Sequence, residues 1–199
     1  MNLATRLELI DNLQVGSLYQ VHADASNFAQ GVTKEEAYEQ VLLQAEGLFD
    51  GQRNWLTEHC KSNLSNTASL LWHAYKSLPA PSSQVNWAGF YTLDATKSQQ
   101  LILGPFQGKV ACQTILFGRG VCGAAASTQT TQLVPDVETF PGHIACDGDS
   151  KSEIVVPIVV GGKVVAIIDI DCAELNGFDE VDRKFLEKLA ELLSGACDW

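Results

Sequence analysis

Residues 154–171 read IVVPIVVGGKVVAIIDID, and this stretch decides the fold. Two apolar, β-branched runs flank Gly161-Gly162, a pair that supplies the positive φ values a tight hairpin turn demands. The segment is therefore predicted to be an antiparallel hairpin near the centre of a sheet. In its second run alternation assigns Val165, Ile167, Asp169 and Asp171 to one face and Val164, Ala166, Ile168 and Ile170 to the other. Two carboxylates then share a face about 6.5–7 Å apart, and Glu153, at the head of the partner run, is placed to join them. Such crowding calls for a cation or a proton to offset it, unless the strand simply emerges into solvent there.

Upstream, NWAGFY (86–91), residues 100–103 and residues 110–117 are β-branched or aromatic runs between turn residues and read as further strands. Trp87 and Tyr91, four apart, fall on one face, either as core aromatics or as one wall of a ligand pocket. Before the strands, Thr33-Lys34-Glu35-Glu36 is a capping box opening a helix through Tyr38, Val41, Leu42, Ala45, Leu48 and Phe49. A second helix runs through Leu64, Ala68, Leu71, Trp72 and Tyr75 until Pro79 and Pro81 break it. Residues 120–127 form a short small-residue helix, residues 131–143 a loop with one short strand, and Asp179 caps a last helix through Val181, Phe185, Leu189 and Leu192. This order gives an α+β fold in which helices cover one sheet face and leave the other to enclose a ligand. Residues 3–13 carry helical spacing, but residues 1–25 read as an extension and residues 26–199 as a single domain.

Composition restricts the partners. Of 199 residues, 46% are hydrophobic and 19% charged, which suits a globular core. Thirteen basic against twenty-four acidic residues leave a net charge of −11, which disfavours nucleic acid and anionic membranes. No run has the length of a membrane span and no secretory signal opens the chain, so a cytoplasmic location is expected.

The six cysteines include no C-x-x-C and no paired Cys/His spacing, so no metal site is expected. Cys60, Cys172 and Cys197 read as small core residues. Cys112 falls within the run at 110–117, read as a strand. Cys122 follows Gly118-Arg119-Gly120 at a helix start, where the helix N-terminus and an arginine are expected to lower its pKa. Cys146 lies in a Gly-rich loop three residues after His143, which is read as a hydrogen-bonded structural histidine rather than its catalytic partner.

The blocks NWAGFY (86–91), LGPFQGKVAC (103–112), GRGVCG (118–123), FPGHIACD (140–147), SEIVVPI (152–158) and IDID (168–171) closely resemble the free methionine-R-sulfoxide reductases, which are GAF-domain enzymes. The trio Cys112, Cys122 and Cys146 is the most specific element, since GAF domains lacking it are usually sensors. The resemblance implies a GAF fold with a six-stranded antiparallel sheet flanked by helices, and a thioredoxin-dependent oxidoreductase that converts free L-methionine-R-sulfoxide to methionine. It makes Cys146 the nucleophile and Cys112 or Cys122 its resolving partner, with Cys122 a candidate for the attacking role. Trp87 and Tyr91 would pack the S-methyl group, and Glu153, Asp169 and Asp171 would hold the polar end. No cofactor is implied beyond a thioredoxin-type dithiol, and a homodimer is left open. The alternatives are a GAF module sensing a small ligand or redox state without turnover, and a scaffold with structural cysteines.

Overall fold

The computed structural model describes residue 28 and residues 31–50, 59–143 and 148–199, without the side chains of residues 59–61. The spacing noted at residues 3–13, Cys146 and the Cys60 side chain lie outside the described residues. The predicted hairpin is present as β5 (Ser152–Val160) and β6 (Lys163–Cys172), joined across Gly161 and Gly162, both at positive φ. With β1 (Val85–Asp94), β2 (Lys97–Gly108), β3 (Thr114–Leu116) and β4 (Gln132–Val134) it forms one antiparallel sheet in the order β3-β2-β1-β6-β5-β4.

Helices α1 (Lys34–Phe49), α2 (His59–Ser77) and α4 (Glu180–Ala196) cover one face, while α3 (Gly120–Thr128) lies over the other. The sheet thus separates two apolar clusters. Phe90, Ile154, Ile158, Ile168 and Ile170 meet the three helices, whereas Trp87, Tyr91, Leu101, Val155 and Ile167 meet α3 and its flanking loops. Among the described residues no helix is long and apolar enough to cross a membrane.

Both predicted caps form. Thr33 Oγ1 accepts from Glu36 N at 3.2 Å while Thr33 N donates to Glu36 Oε2 at 2.8 Å, satisfying two orphan donors of α1. Asp179 accepts from Val181 N at 2.8 Å and Asp182 returns a bond to Asp179 N at 2.8 Å. Asp182 is fully buried, and Lys34 Nζ (2.6 Å), Tyr38 OH (2.8 Å) and Tyr75 OH (3.1 Å) all donate to it, so one carboxylate keys the three helices together. The buried stripe of α4 is Phe185, Leu186, Leu189, Ala190 and Leu193, with Val181 and Leu192 only half-buried. It is rotated from the predicted stripe because α4 packs against α1 as well as the sheet.

Two further expectations are corrected. Alternation in β6 fails at its start: Val164 joins Ile167 on the α3 side while Val165 packs with the helix-side cluster. Ile158 pairs with Ala166 but Val159 pairs with Val164, so Val165 is an extra residue that reverses the faces on either side of it. The run at 110–117 is a strand only over Thr114–Leu116, and Cys112 sits in the loop before it. Gly108, at φ +127, passes so close to Asn86 O that a Cβ there would lie 2.7 Å away. The chain turns off the ladder at that point, and pairing to β3 resumes only at Thr114.

Candidate active site

On the α3 side the central strands line up three cross-strand rows. Glu153, Asp171 and Trp87 are direct partners, as are Val155, Asp169 and Gly89, and Pro157, Ile167 and Tyr91. Hence Glu153, Asp169 and Asp171 project from adjacent strands beside Trp87, as their face assignment predicted. Gly89 is required beside Asp169 because Phe106 fills the space a side chain would take: a Cβ on Gly89 would stand 2.3 Å from Phe106 Cβ. Trp87 stacks between Phe106 (5.2 Å between centroids) and Tyr91 (5.8 Å), making a continuous aromatic wall.

The polar tips of that wall hold the loop of residues 109–113. Trp87 Nε1 donates to Lys109 O at 3.2 Å and Tyr91 OH to Cys112 O at 3.0 Å. Sheet and loop together with α3 enclose a cavity of about 350 Å³, within the range of small-ligand sites. Trp87, Tyr91, Cys112, Cys122, Glu153, Asp169 and Asp171 all line it, so the structure brings together every described residue singled out for chemistry. His143 and Ser150, which flank the segment containing Cys146, line it as well.

Cys112 is disulfide-bonded, whereas Cys122, Cys172 and Cys197 are buried and outside any disulfide. Cys172 and Cys197 fill core positions away from the cavity, as expected.

Cys122 departs from its expected activation. It is 7% exposed on the inner side of α3, with Sγ donating to Glu153 Oε1 at 3.6 Å. Burial first, then Asp169, Glu153 and Asp171, push its thiol well above the usual range. Burial and these carboxylates outweigh the helix N-terminus, even though Cys122 stands on its first turn. The thiol is a neutral donor.

Burial raises both carboxyl groups beneath it. Glu153 goes well above its ordinary value, by burial and then by the charges of Asp169 and Asp171. Asp169 rises to about 6, by burial, against the lowering effect of hydrogen bonds from Cys122 and Glu153. The pair therefore shares a proton carried chiefly by Glu153. Asp169 Oδ1 is buried with no hydrogen-bond partner. The same burial and negative charge raise the Tyr91 phenol, which stays a donor.

One feature escaped the sequence reading. Arg119 is the N-cap of α3 and lines the cavity, with Gly120, Val121 and Cys122 on the first turn behind it. No side chain caps this turn, so an uncapped helix N-terminus and an arginine contribute to the cavity lining, an arrangement that attracts anions. The motif Gly118-Arg119-Gly120 before an alanine-rich run was the available signal; it was read only for its effect on Cys122.

A single antiparallel sheet with helices on one face and an enclosed cavity on the other defines a GAF domain, and the GAF domain profile matches residues 67–198. A Saccharomyces cerevisiae protein named free methionine-R-sulfoxide reductase is 59% identical over 177 residues, covering 88% of this chain and 94% of that protein. An Escherichia coli protein of the same name is 40% identical over 162 residues, 81% of this chain and 89% of that one. The X-ray structure of free methionine-R-sulfoxide reductase from Neisseria meningitidis in complex with its substrate superposes with a TM-score of 0.74 at 38% identity, covering 86% of this chain and 95% of that chain. The chain belongs to the GAF-domain family of free methionine-R-sulfoxide reductases.

Proposed function

We propose that the protein reduces free L-methionine-R-sulfoxide to methionine, with Cys146 as nucleophile and Cys112 as resolving thiol. The observation that carries this is a disulfide-bonded Cys112 on the wall of a cavity floored by a shared-proton carboxyl pair. His143 and Ser150, on either side of Cys146 in the chain, line that cavity, and Cys122, Cys172 and Cys197 are outside any disulfide. Cys122 is a poor nucleophile because its thiol is held protonated.

A thiolate attacks the sulfoxide sulfur once the oxygen is protonated or strongly hydrogen-bonded. Glu153 is suited to supply that proton. Cleavage of the sulfur–oxygen bond releases methionine and leaves Cys146 as a sulfenic acid, which Cys112 converts to a disulfide with loss of water. A thioredoxin-type dithiol then returns two electrons, a cycle suited to the reducing cytoplasm. The aromatic wall packs the S-methyl group. Asp169 and Asp171 attract the ammonium group, while Arg119 and the first turn of α3 attract the carboxylate. A free amino acid offers both charges together; a peptide residue offers neither, so peptide sulfoxide is excluded. Residues 26–199 carry this activity, with residues 1–25 an extension outside it.

Chiral chromatography of the sulfoxide left after incubation with protein and a dithiol tests the assignment. Loss of the R isomer alone is expected. Loss of both isomers, loss of neither, or equal rates on a sulfoxide-containing tripeptide would overturn it.

A further inference from the structure

Three potential ligand atoms converge on the cavity floor from separate elements. Cys122 Sγ, a Glu153 oxygen and an Asp169 oxygen all lie within 4.8 Å of one another. Around a tetrahedral dication with bonds of about 2.3 Å to sulfur and 2.0 Å to carboxylate oxygen, the sulfur–oxygen edge is about 3.5 Å. The Cys122–Glu153 separation is 3.6 Å, so two donors already stand at coordination spacing. The other two separations, both to Asp169, lie within 4.8 Å, and the terminal torsion of an aspartate is soft enough to adjust them.

The second observation is the orphan oxygen. Asp169 is 6% exposed and its Oδ1 has no hydrogen-bond partner, an arrangement that costs free energy until a ligand supplies one. Sequence spacing gave no hint of such a site because its donors come from α3, β5 and β6 rather than from one motif.

We propose that Cys122, Glu153 and Asp169 form a binding site for a thiophilic divalent cation of the Zn²⁺ and Cd²⁺ class, and that the bound ion excludes the sulfoxide. A thiolate with two carboxylates suits a borderline-soft ion of low coordination number, whereas Mg²⁺ and Ca²⁺ demand six or more oxygens. Binding releases the protons held by Cys122 and by the Glu153–Asp169 pair, and three anionic donors around one dication leave the same single negative charge that the empty cluster carries. The fourth coordination position opens into the cavity. Exclusion follows because the ion occupies the carboxyl oxygens assigned to the substrate's ammonium group and to proton donation. That exclusion, though not the binding, rests on the sulfoxide reading.

The test uses the full chain, air-oxidised and free of reductant, so that Cys112 remains in its disulfide. Titration with Cd²⁺ alone, followed by the ultraviolet cadmium–thiolate charge-transfer band and by equilibrium dialysis, should show one ion per chain. Zn²⁺ should displace it, and excess Mg²⁺ or Ca²⁺ should not. Cys122→Ala should lose the band. Asp169→Asn and Glu153→Gln should weaken binding on the order of 10- to 100-fold, at least the loss that follows removal of an outer-sphere partner. Cys172→Ser and Cys197→Ser should retain the band, with circular dichroism confirming that each variant is folded. No band with folded parental protein, or a band that survives in Cys122→Ala, would overturn the site. Oxidised protein cannot turn over, so free methionine-R-sulfoxide acts there as a simple competitor and should weaken the apparent Cd²⁺ affinity in proportion to its concentration. Unchanged Cd²⁺ affinity in its presence overturns exclusion. Turnover by reduced, metal-free protein tests the sulfoxide reading separately, so the two cannot fail unnoticed together.

Discussion

Asp169→Asn should make the protein more stable at neutral pH while slowing its chemistry. Asp169 is 6% exposed and its carboxyl is raised to about 6 by burial, against about 3.9 in an unfolded chain. A displacement of about two units at 1.36 kcal/mol each amounts to about 3 kcal/mol. Because the folded-state value is the higher one, the folded protein binds more protons between the two values. Its stability contribution is fully present below about pH 4 and is lost as the pH rises through about 6. At about pH 7.5 the parental protein therefore bears the whole cost of an ionised buried carboxylate, and the isosteric amide removes it. A gain of about 1–3 kcal/mol is expected, the lower figure applying if the amide leaves its own group unsatisfied. For a chain of this size that corresponds to a rise in Tm of roughly 2–12 °C. Thermal unfolding followed by circular dichroism should show the gain at about pH 7.5 and its disappearance at about pH 4, alongside a slower single turnover. A variant no more stable at neutral pH, or equally stabilised at both, would refute a strained, proton-sharing pair.

Cys146→Ser should abolish turnover while Cys60→Ser, Cys172→Ser and Cys197→Ser leave it near the parental rate. Peptide mapping after one equivalent of sulfoxide should recover a Cys112–Cys146 bridge, and one confined to Cys60, Cys172 and Cys197 contradicts the mechanism. The single-turnover rate should follow a bell in pH, its acid limb set by the attacking thiol and its alkaline limb by the raised Glu153–Asp169 pair. Glu153→Gln should slow sulfenic acid formation about 10²- to 10⁴-fold, measured by rapid quench, and an unchanged alkaline limb would remove Glu153 as the acid. Gly89→Ala forces a methyl group against Phe106, 2.3 Å away, and should cost about 1–3 kcal/mol by denaturant titration while raising KM through a displaced Trp87. Parental stability in that variant would show that β2 yields freely there.

What the chain revealed on its own was whatever depends on local pattern. Gly161-Gly162 fixed the hairpin, the Thr33 and Asp179 boxes fixed two helix starts, and alternation put Asp169 with Asp171 on one face of their strand and Trp87 with Tyr91 on one face of theirs. Alternation failed where long-range pairing inserts Val165, since a bulge is a property of two strands and only one is visible in a local run. The position of Cys112 was misread because its β-branched neighbours imitate a strand, whereas the turn at Gly108 depends on the proximity of Asn86. Cys122 was read with the wrong sign for the same reason: Arg119 adjoins it in sequence, but the groups that govern its thiol arrive from β5 and β6. Arg119 itself was overlooked as a cavity-lining residue because nothing local reveals which way an N-terminal turn faces.

The sheet that parts the two apolar clusters also parts the molecule's cooperativity. Behind it, α1, α2 and α4 are clasped by Asp182 and by the larger cluster, so that layer carries most of the resistance to global unfolding. In front, nine residues of α3 and the three-residue strands β3 and β4 close the cavity with the smaller cluster. Openings confined to that front layer need little free energy, so its amides should exchange with solvent long before those of β1 and β6. The protein can then open the cavity and uncover Cys112 by breathing on one side only, while the other side preserves the geometry of the carboxyl floor. Tolerance to sequence change should divide along the same plane, with cavity-layer substitutions altering chemistry before they threaten the fold.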